Sequence, residues 1–233
     1  MKLSASDLKA IARESLKGHW LSAIIVCLVA SFFGAFCMSL FAWGRFALMM
    51  AAAITFLEYL QDYGEIILLS ACCIALFKFF MGETVRLGYI RFNLSLLDRG
   101  DVKMRYIFSC FKLFWKAFFL RVGLAFMEFC FSILFIIPGI YIYLAYAMAP
   151  YVLEERPGFP VIEAMRASRK MMHGNKLRFL GMKISFIGWD LLCLITLGLA
   201  ALYVIPLKNT TEAVFYNEIS GRADVYYARD RLS

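Results

Sequence analysis

Charged side chains set inside apolar runs are the residues of this sequence that could do chemistry. Arg121 and Glu128 stand in one such run, Lys183 and Asp190 in another, and Lys208 and Glu212 interrupt the end of a third. The first two pairs are each seven residues apart, so on a helix the cation and the anion share a face. At about 1.5 Å per residue, Arg121 and Lys183 would lie roughly 9–12 Å into a bilayer and the two carboxylates roughly 20–22 Å. A charge held in hydrocarbon costs at least about 2.5–3.5 kcal/mol, so several unpaired ones are hard to tolerate. Arg121, Glu128, Lys183, Asp190, Lys208 and Glu212 therefore read as a candidate intramembrane polar network, lining a path or a binding site between helices. The structural alternative has Arg121 and Lys183 snorkelling to the interface. The carboxylates then pair with them or with Lys208, or sit protonated.

No nucleophile–base set accompanies these charges. The sequence holds no H-E-x-x-H, no G-x-S-x-G, no P-loop and no dinucleotide fingerprint, so no catalytic residue, metal or cofactor is expected. His19 and His173 each follow an amphipathic segment and read as wet interfacial residues rather than a metal pair. Cys27, Cys37, Cys72, Cys73, Cys130 and Cys193 lie in apolar runs and Cys110 at the foot of another, as reduced small hydrophobes. Tyr141, Tyr143, Tyr146 and Tyr151 could grip a substrate, although aromatic-rich membrane helices more often simply pack.

The elements that must hold these residues follow from composition. With 62% hydrophobic and 17% aromatic residues in 233, the chain carries more apolar surface than one small globule can hide. The bilayer must be part of its solvent. The formal charge of +8 is dispersed between apolar segments, which fits anionic lipid at the inner leaflet and not nucleic acid.

The expected fold is all-α, a polytopic membrane bundle in a single integral domain. Transmembrane helices are expected over 20–43, 65–82, 113–137, 139–153, 177–195 and 198–217. Residues 46–63 fit an outer interfacial or re-entrant helix, because a crossing there would place an acidic, base-free loop inside. An amphipathic helix over 1–18 opens the chain. Ser4 and Asp7 offer a capping box, Leu8, Ile11, Ala12 and Leu16 line one face, and Gly18 ends it. A second cytoplasmic amphipathic helix runs over 160–174 between Pro160 and Gly174. Val161, Ile162, Ala164, Met165, Ala167, Met171 and Met172 lie on one arc, and Glu163, Arg166, Lys170 and His173 on the other. Residues 218–233 form a cytoplasmic tail. Candidate lipid-interface residues are Lys17, His19, Trp20, Arg166, Arg169, Lys170, Lys176 and Arg178.

Orientation follows the basic residues. They gather at Lys2, Lys9, Arg13 and Lys17, within 83–112, within 154–178 and after residue 217, whereas 44–65 holds only Arg45. Both termini are therefore expected inside. A basic interfacial segment followed by a hairpin recurs at 4–82, 101–153 and 160–217. It reads either as three copies of a helix-hairpin unit or as a chance rhythm of alternating loops.

LKGHW near the start, IIPG, EAMRASRKMMHGNK, SFIGW, LLCLITLG, VIP and the closing TTEAVFY together resemble a domain-of-unknown-function family of bacterial six-helix integral membrane proteins. The likeness extends over the whole chain and is weakest at 38–80. Leu177 departs from the tryptophan usual in that family, and Leu207 stands where an aromatic is common. The resemblance implies a multi-pass protein of the bacterial cytoplasmic membrane and supplies no activity. A more distant similarity to the membrane part of bacterial glycerophosphodiester phosphodiesterases points toward lipid, but the chain has no such catalytic domain. Three classes of function stay open. One is a non-catalytic factor that handles lipid or an amphiphile, or transports a small molecule. Another is a membrane interaction module (an accessory subunit, assembly factor or immunity protein) packed on a partner or on a copy of itself. An intramembrane enzyme is least favoured.

Overall fold

The computed structural model of the chain describes residues 3–32, 64–98, 112–134, 136–196 and 198–221. The expected segment 46–63 and the whole chain after residue 221 lie outside them. Among the described residues there are helices and no strand: α1 (Ala5–Leu16), α2 (Trp20–Phe32), α3 (Gly64–Leu97), α4 (Phe114–Leu134), α5 (Ile136–Tyr146), α6 (Ala149–Glu155), α7 (Val161–Met171), α8 (Lys176–Ile184), α9 (Ile187–Ile195) and α10 (Ala201–Ile219). The described residues are thus all-α, as their periodicities require.

Local signals set several of these boundaries. The Ser4 hydroxyl accepts from the Asp7 amide at 3.3 Å, and the Asp7 carboxylate accepts from the Ser4 amide at 3.0 Å, closing the capping box of α1. Gly18, at φ +83, and Gly174, at φ +78, take the left-handed conformation that stops α1 and α7. α3 runs unbroken for 34 residues, continuing well past the expected crossing at 65–82.

Two expected single-helix crossings are each divided. The segment 139–153 splits into α5 and α6 because Pro150 has no amide to give the carbonyl of Tyr146, four residues back. The segment 177–195 splits into α8 and α9 at Ser185 and Phe186. There the Ser185 hydroxyl turns back on the Met182 carbonyl at 2.6 Å, and Lys9 of α1 donates to the Ser185 carbonyl at 2.8 Å. α8 and α9 are nine residues each, roughly 14 Å, against roughly 30 Å of hydrocarbon. Among the described residues no helix is long and apolar enough to cross a membrane. The crossings expected at 139–153 and 177–195 are thus corrected to pairs of shorter helices, and the expected crossing at 20–43 lies outside the described residues beyond residue 32.

α10 is the hub, packed against α1, α2, α3 and α9, and it continues through Pro206. Phe179 of α8 and Phe215 of α10 meet at 5.3 Å in a core that also buries Leu16, Tyr89, Phe92, Phe186 and Tyr216. Each such side chain contributes about 1.5–3 kcal/mol on leaving water. The apolar face of α1 faces this core. Leu8, Ala12 and Leu16 are buried, so α1 does not lie with that face on lipid. α7 behaves alike, burying Ala164, Ser168 and Met172, and the Ser168 hydroxyl donates to the Ala145 carbonyl at 3.0 Å.

Candidate functional site

α8 and α9 run antiparallel to α10, and three ion pairs cross the seam like rungs. Asp190 accepts from Lys208 at 3.0 Å, Lys183 pairs with Glu212, and Arg178 meets Glu218 at 2.7 Å. As the residue number falls along α9 and α8, it rises along α10. Lys208 and Glu212 are one turn apart on α10, so consecutive rungs sit on one face of that helix.

Four of the six expected network residues are therefore brought together: Asp190 takes Lys208, one of the partners expected for it, while Lys183 takes Glu212 rather than Asp190 or Glu128. Lys183 and Asp190 share a face only if one continuous helix carries both. The break at Ser185 and Phe186 resets the helical phase, and α10 supplies both counter-ions. Arg121 lies half-buried on α4, which packs on α3, α5, α6 and α7, away from the seam. The side chain of Glu128 lies outside the described residues.

A second polar stripe adjoins the first, and sequence reasoning missed it. Glu83, Arg86, Tyr89 and Asn93 are spaced three, three and four apart, which is one face of α3. Arg86 bonds Glu83 at 3.2 Å, and the Thr210 hydroxyl donates to Asn93 at 3.2 Å, tying α3 to α10. The electrostatic neighbours of Arg86 include Glu212, Tyr143 and Tyr151 as well as Glu83. Arg86, Lys183, Glu83 and Glu212 thus form a charge-balanced cluster of two cations and two carboxylates. The spacing was there to be read, but Arg86 had been counted with interfacial basic residues. Tyr151, considered as a substrate grip, instead stacks on Tyr216 at 5.2 Å, and the Tyr216 hydroxyl donates to Glu155.

The lipid-interface candidates divide. Lys17, His19, Arg166, Arg169 and Lys170 are exposed. Lys176 lies 3.3 Å from the centroid of the Tyr141 ring. Arg178 is a structural residue, donating to Glu218 and to the Leu3 carbonyl at 2.8 Å. Trp20 stacks on Tyr203 at 4.7 Å. That contact places the end of α1 and the turn before α10 at one end of the bundle, although they had been expected on opposite membrane faces. Among the described residues no group of His, Cys, Asp and Glu could hold a metal ion.

On α1, Asp7 and Lys9 have their proton affinity moved. The Asp7 carboxyl is held below its usual range by the Ser4 hydroxyl and then the Ser4 amide. Lys9 is pushed down by partial burial and then by the nearby Arg13 charge.

Residues 120–223 match a family described as a protein of unknown function, DUF975. The match runs from the middle of α4 to the end of α10, so it includes the whole ladder. No curated protein and no solved structure matches the chain. The family match agrees with the resemblance to a family of unknown function. The comparisons do not bring out the distant likeness to glycerophosphodiester phosphodiesterases. Chemically, the ladder gives each carboxylate a cation and each cation a carboxylate, an arrangement that holds helices in register.

Proposed function

We propose that this protein is a non-catalytic factor of a bacterial membrane that works in contact with lipid or another amphiphile, its outward helix faces solvated by acyl chains. The observation that carries this reading is an inverted polarity. On α8 and α9 the charges Lys183 and Asp190 turn inward to α10, while Ile184, Ile187, Leu191, Leu192 and Ile195 are exposed. α4 likewise leaves Trp115, Phe119 and Phe126 exposed.

A soluble chain does the reverse, and large contiguous apolar surface marks a face that meets lipid or protein. Each large apolar side chain moved from water into hydrocarbon gains about 1.5–3 kcal/mol. Leu191, Leu192, Ile195, Trp115, Phe119 and Phe126 together outweigh the insertion of one charge at about 2.5–3.5 kcal/mol several times over. The exposed Arg166, Arg169 and Lys170 of α7 and the net charge of +8 suit an anionic leaflet.

Alkaline carbonate washing of bacterial membranes carrying the full chain tests the reading. The protein should stay in the pellet with other lipid-held proteins. Release into the supernatant, together with a folded and monodisperse protein in detergent-free buffer, would overturn it.

A further inference from the structure

We infer that the α1–α2 turn and the tip of the α9–α10 hairpin form one insertion element that enters a single leaflet of a lipid bilayer. This rests on the lipid-contact reading above and adds depth and direction to it. Arg13, Lys17, Trp20, Trp189 and Tyr203 lie at the level of the headgroups.

The register of α1 along the hairpin fixes that level. At the base, the Leu3 amide donates to Glu218 at 3.0 Å and the Leu3 carbonyl accepts from Arg178 at 2.8 Å. Further along, Lys9 reaches the Ser185 carbonyl at 2.8 Å, Arg13 lies 5.7 Å from the Trp189 ring, and Trp20 stacks on Tyr203 at 4.7 Å. α1 therefore accompanies the hairpin from its base almost to its tip. The face that α1 turns outward carries Asp7, Arg13, Glu14 and Lys17, all exposed. Hydrocarbon rejects such a face, so the stretch of hairpin beside α1 lies in water or among headgroups.

Beyond that stretch the chemistry changes. No charged residue occurs between Asp190 and Lys208, and Leu191, Leu192, Ile195, Leu199 and Leu202 are exposed. The boundary is marked by aromatics and cations together, with Trp189 and Tyr203 at 6.0 Å and Arg13 over Trp189, the composition of a membrane interface. From Trp189 to Ile195 α9 rises about 9 Å, which stays within one leaflet of a hydrocarbon core about 30 Å thick.

The backbone of the tip is also suited to hydrocarbon, where water cannot bond it. The Gly198 amide donates to the Cys193 carbonyl at 2.8 Å, the Leu199 amide to the Thr196 carbonyl at 3.1 Å, and the Ala200 amide to the Thr196 hydroxyl at 3.1 Å. That hydroxyl itself donates to the Leu192 carbonyl at 2.9 Å. The amides of Gly198, Leu199 and Ala200 and the Thr196 hydroxyl are thus paired within the turn.

The test is a depth measurement on the full chain reconstituted in vesicles of equal parts phosphatidylcholine and phosphatidylglycerol. Nitroxide labels are placed singly at positions 14, 119, 195 and 199 in a background without native cysteines, each variant checked for wild-type helicity and melting. Labels at 195 and 199 should collide with oxygen several-fold more readily, relative to a water-soluble nickel chelate, than the label at 14. Nickel access at 199 equal to that at 14 overturns the inference, because the tip then lies in water or emerges on the far side. Oxygen preference at 14 overturns it too. The label at 119 separates the two readings. If 119 lies in lipid while 199 does not, only the insertion element fails. If both are in water, the lipid-contact reading fails with it.

Discussion

Replacing Glu212 should destabilise the bundle more than replacing Asp190, although both carboxylates belong to the same ladder. The side chains of Lys183 and Glu212 keep 21% and 13% of their exposure, while Lys208 and Asp190 keep 24% and 34%. Glu212→Leu leaves Lys183 without its carboxylate and leaves Arg86 with Glu83 alone. Removing one member of a buried pair costs about 3–5 kcal/mol, and the remaining access to water lowers that here to about 2–4 kcal/mol. Asp190→Leu breaks a pair whose acid is one-third exposed, for about 1 kcal/mol. Urea unfolding in a mild detergent, followed by circular dichroism, reads both as shifts of midpoint at constant slope. Glu212→Leu combined with Lys183→Leu removes both charges and should recover much of the loss. The reasoning is refuted if Glu212→Leu unfolds like wild type, if the double variant is no better than the single, or if Asp190→Leu costs more than Glu212→Leu.

Other contacts make smaller predictions. Ser168→Ala should cost about 1 kcal/mol in the same unfolding assay by stranding the buried Ala145 carbonyl, and an unchanged midpoint would contradict that bond. Gly174→Ala should cost about 1–2 kcal/mol for a left-handed backbone alone, since nothing lies within 4 Å of an added Cβ, and Gly174→Asn should cost less. The reverse order would put the cost in packing. Asp7 is more acidic folded than unfolded, so its contribution is full above about pH 3.9 and is lost as pH falls through the folded value. Asp7→Asn should therefore flatten the acid side of a melting-temperature profile, and parallel profiles would show that the capping box is not formed.

Much of the fold was legible because its signals are local. Ser4 and Asp7 cap α1, Gly18 and Gly174 stop helices, and spacing of apolar residues gives helices throughout. Pro150 was legible as well, but the apolar run around it outweighed it. The break at Ser185 was not, because it is held by Lys9, on a helix at the other end of the sequence. That one break altered the site. It cancelled the shared face of Lys183 and Asp190 and handed both charges to α10. The stripe on α3 was readable as spacing yet had no meaning until Thr210 and Glu212 were known to lie against it. Which faces stay uncovered is a property of packing, and no periodicity reports it: the basic arc of α7 remains exposed while its methionine arc is taken by the bundle.

The central claim is that acyl chains cover the outward faces of α4 and α9, and the most direct measurement is photocrosslinking. Membranes containing a phospholipid with a diazirine in its acyl chain would be irradiated and the adducts mapped by mass spectrometry. Adducts are expected on Phe119, Phe126, Leu191 and Ile195, and none on Arg166 or Lys170 of α7. Adducts concentrated on α7, with α4 and α9 unlabelled, would contradict it.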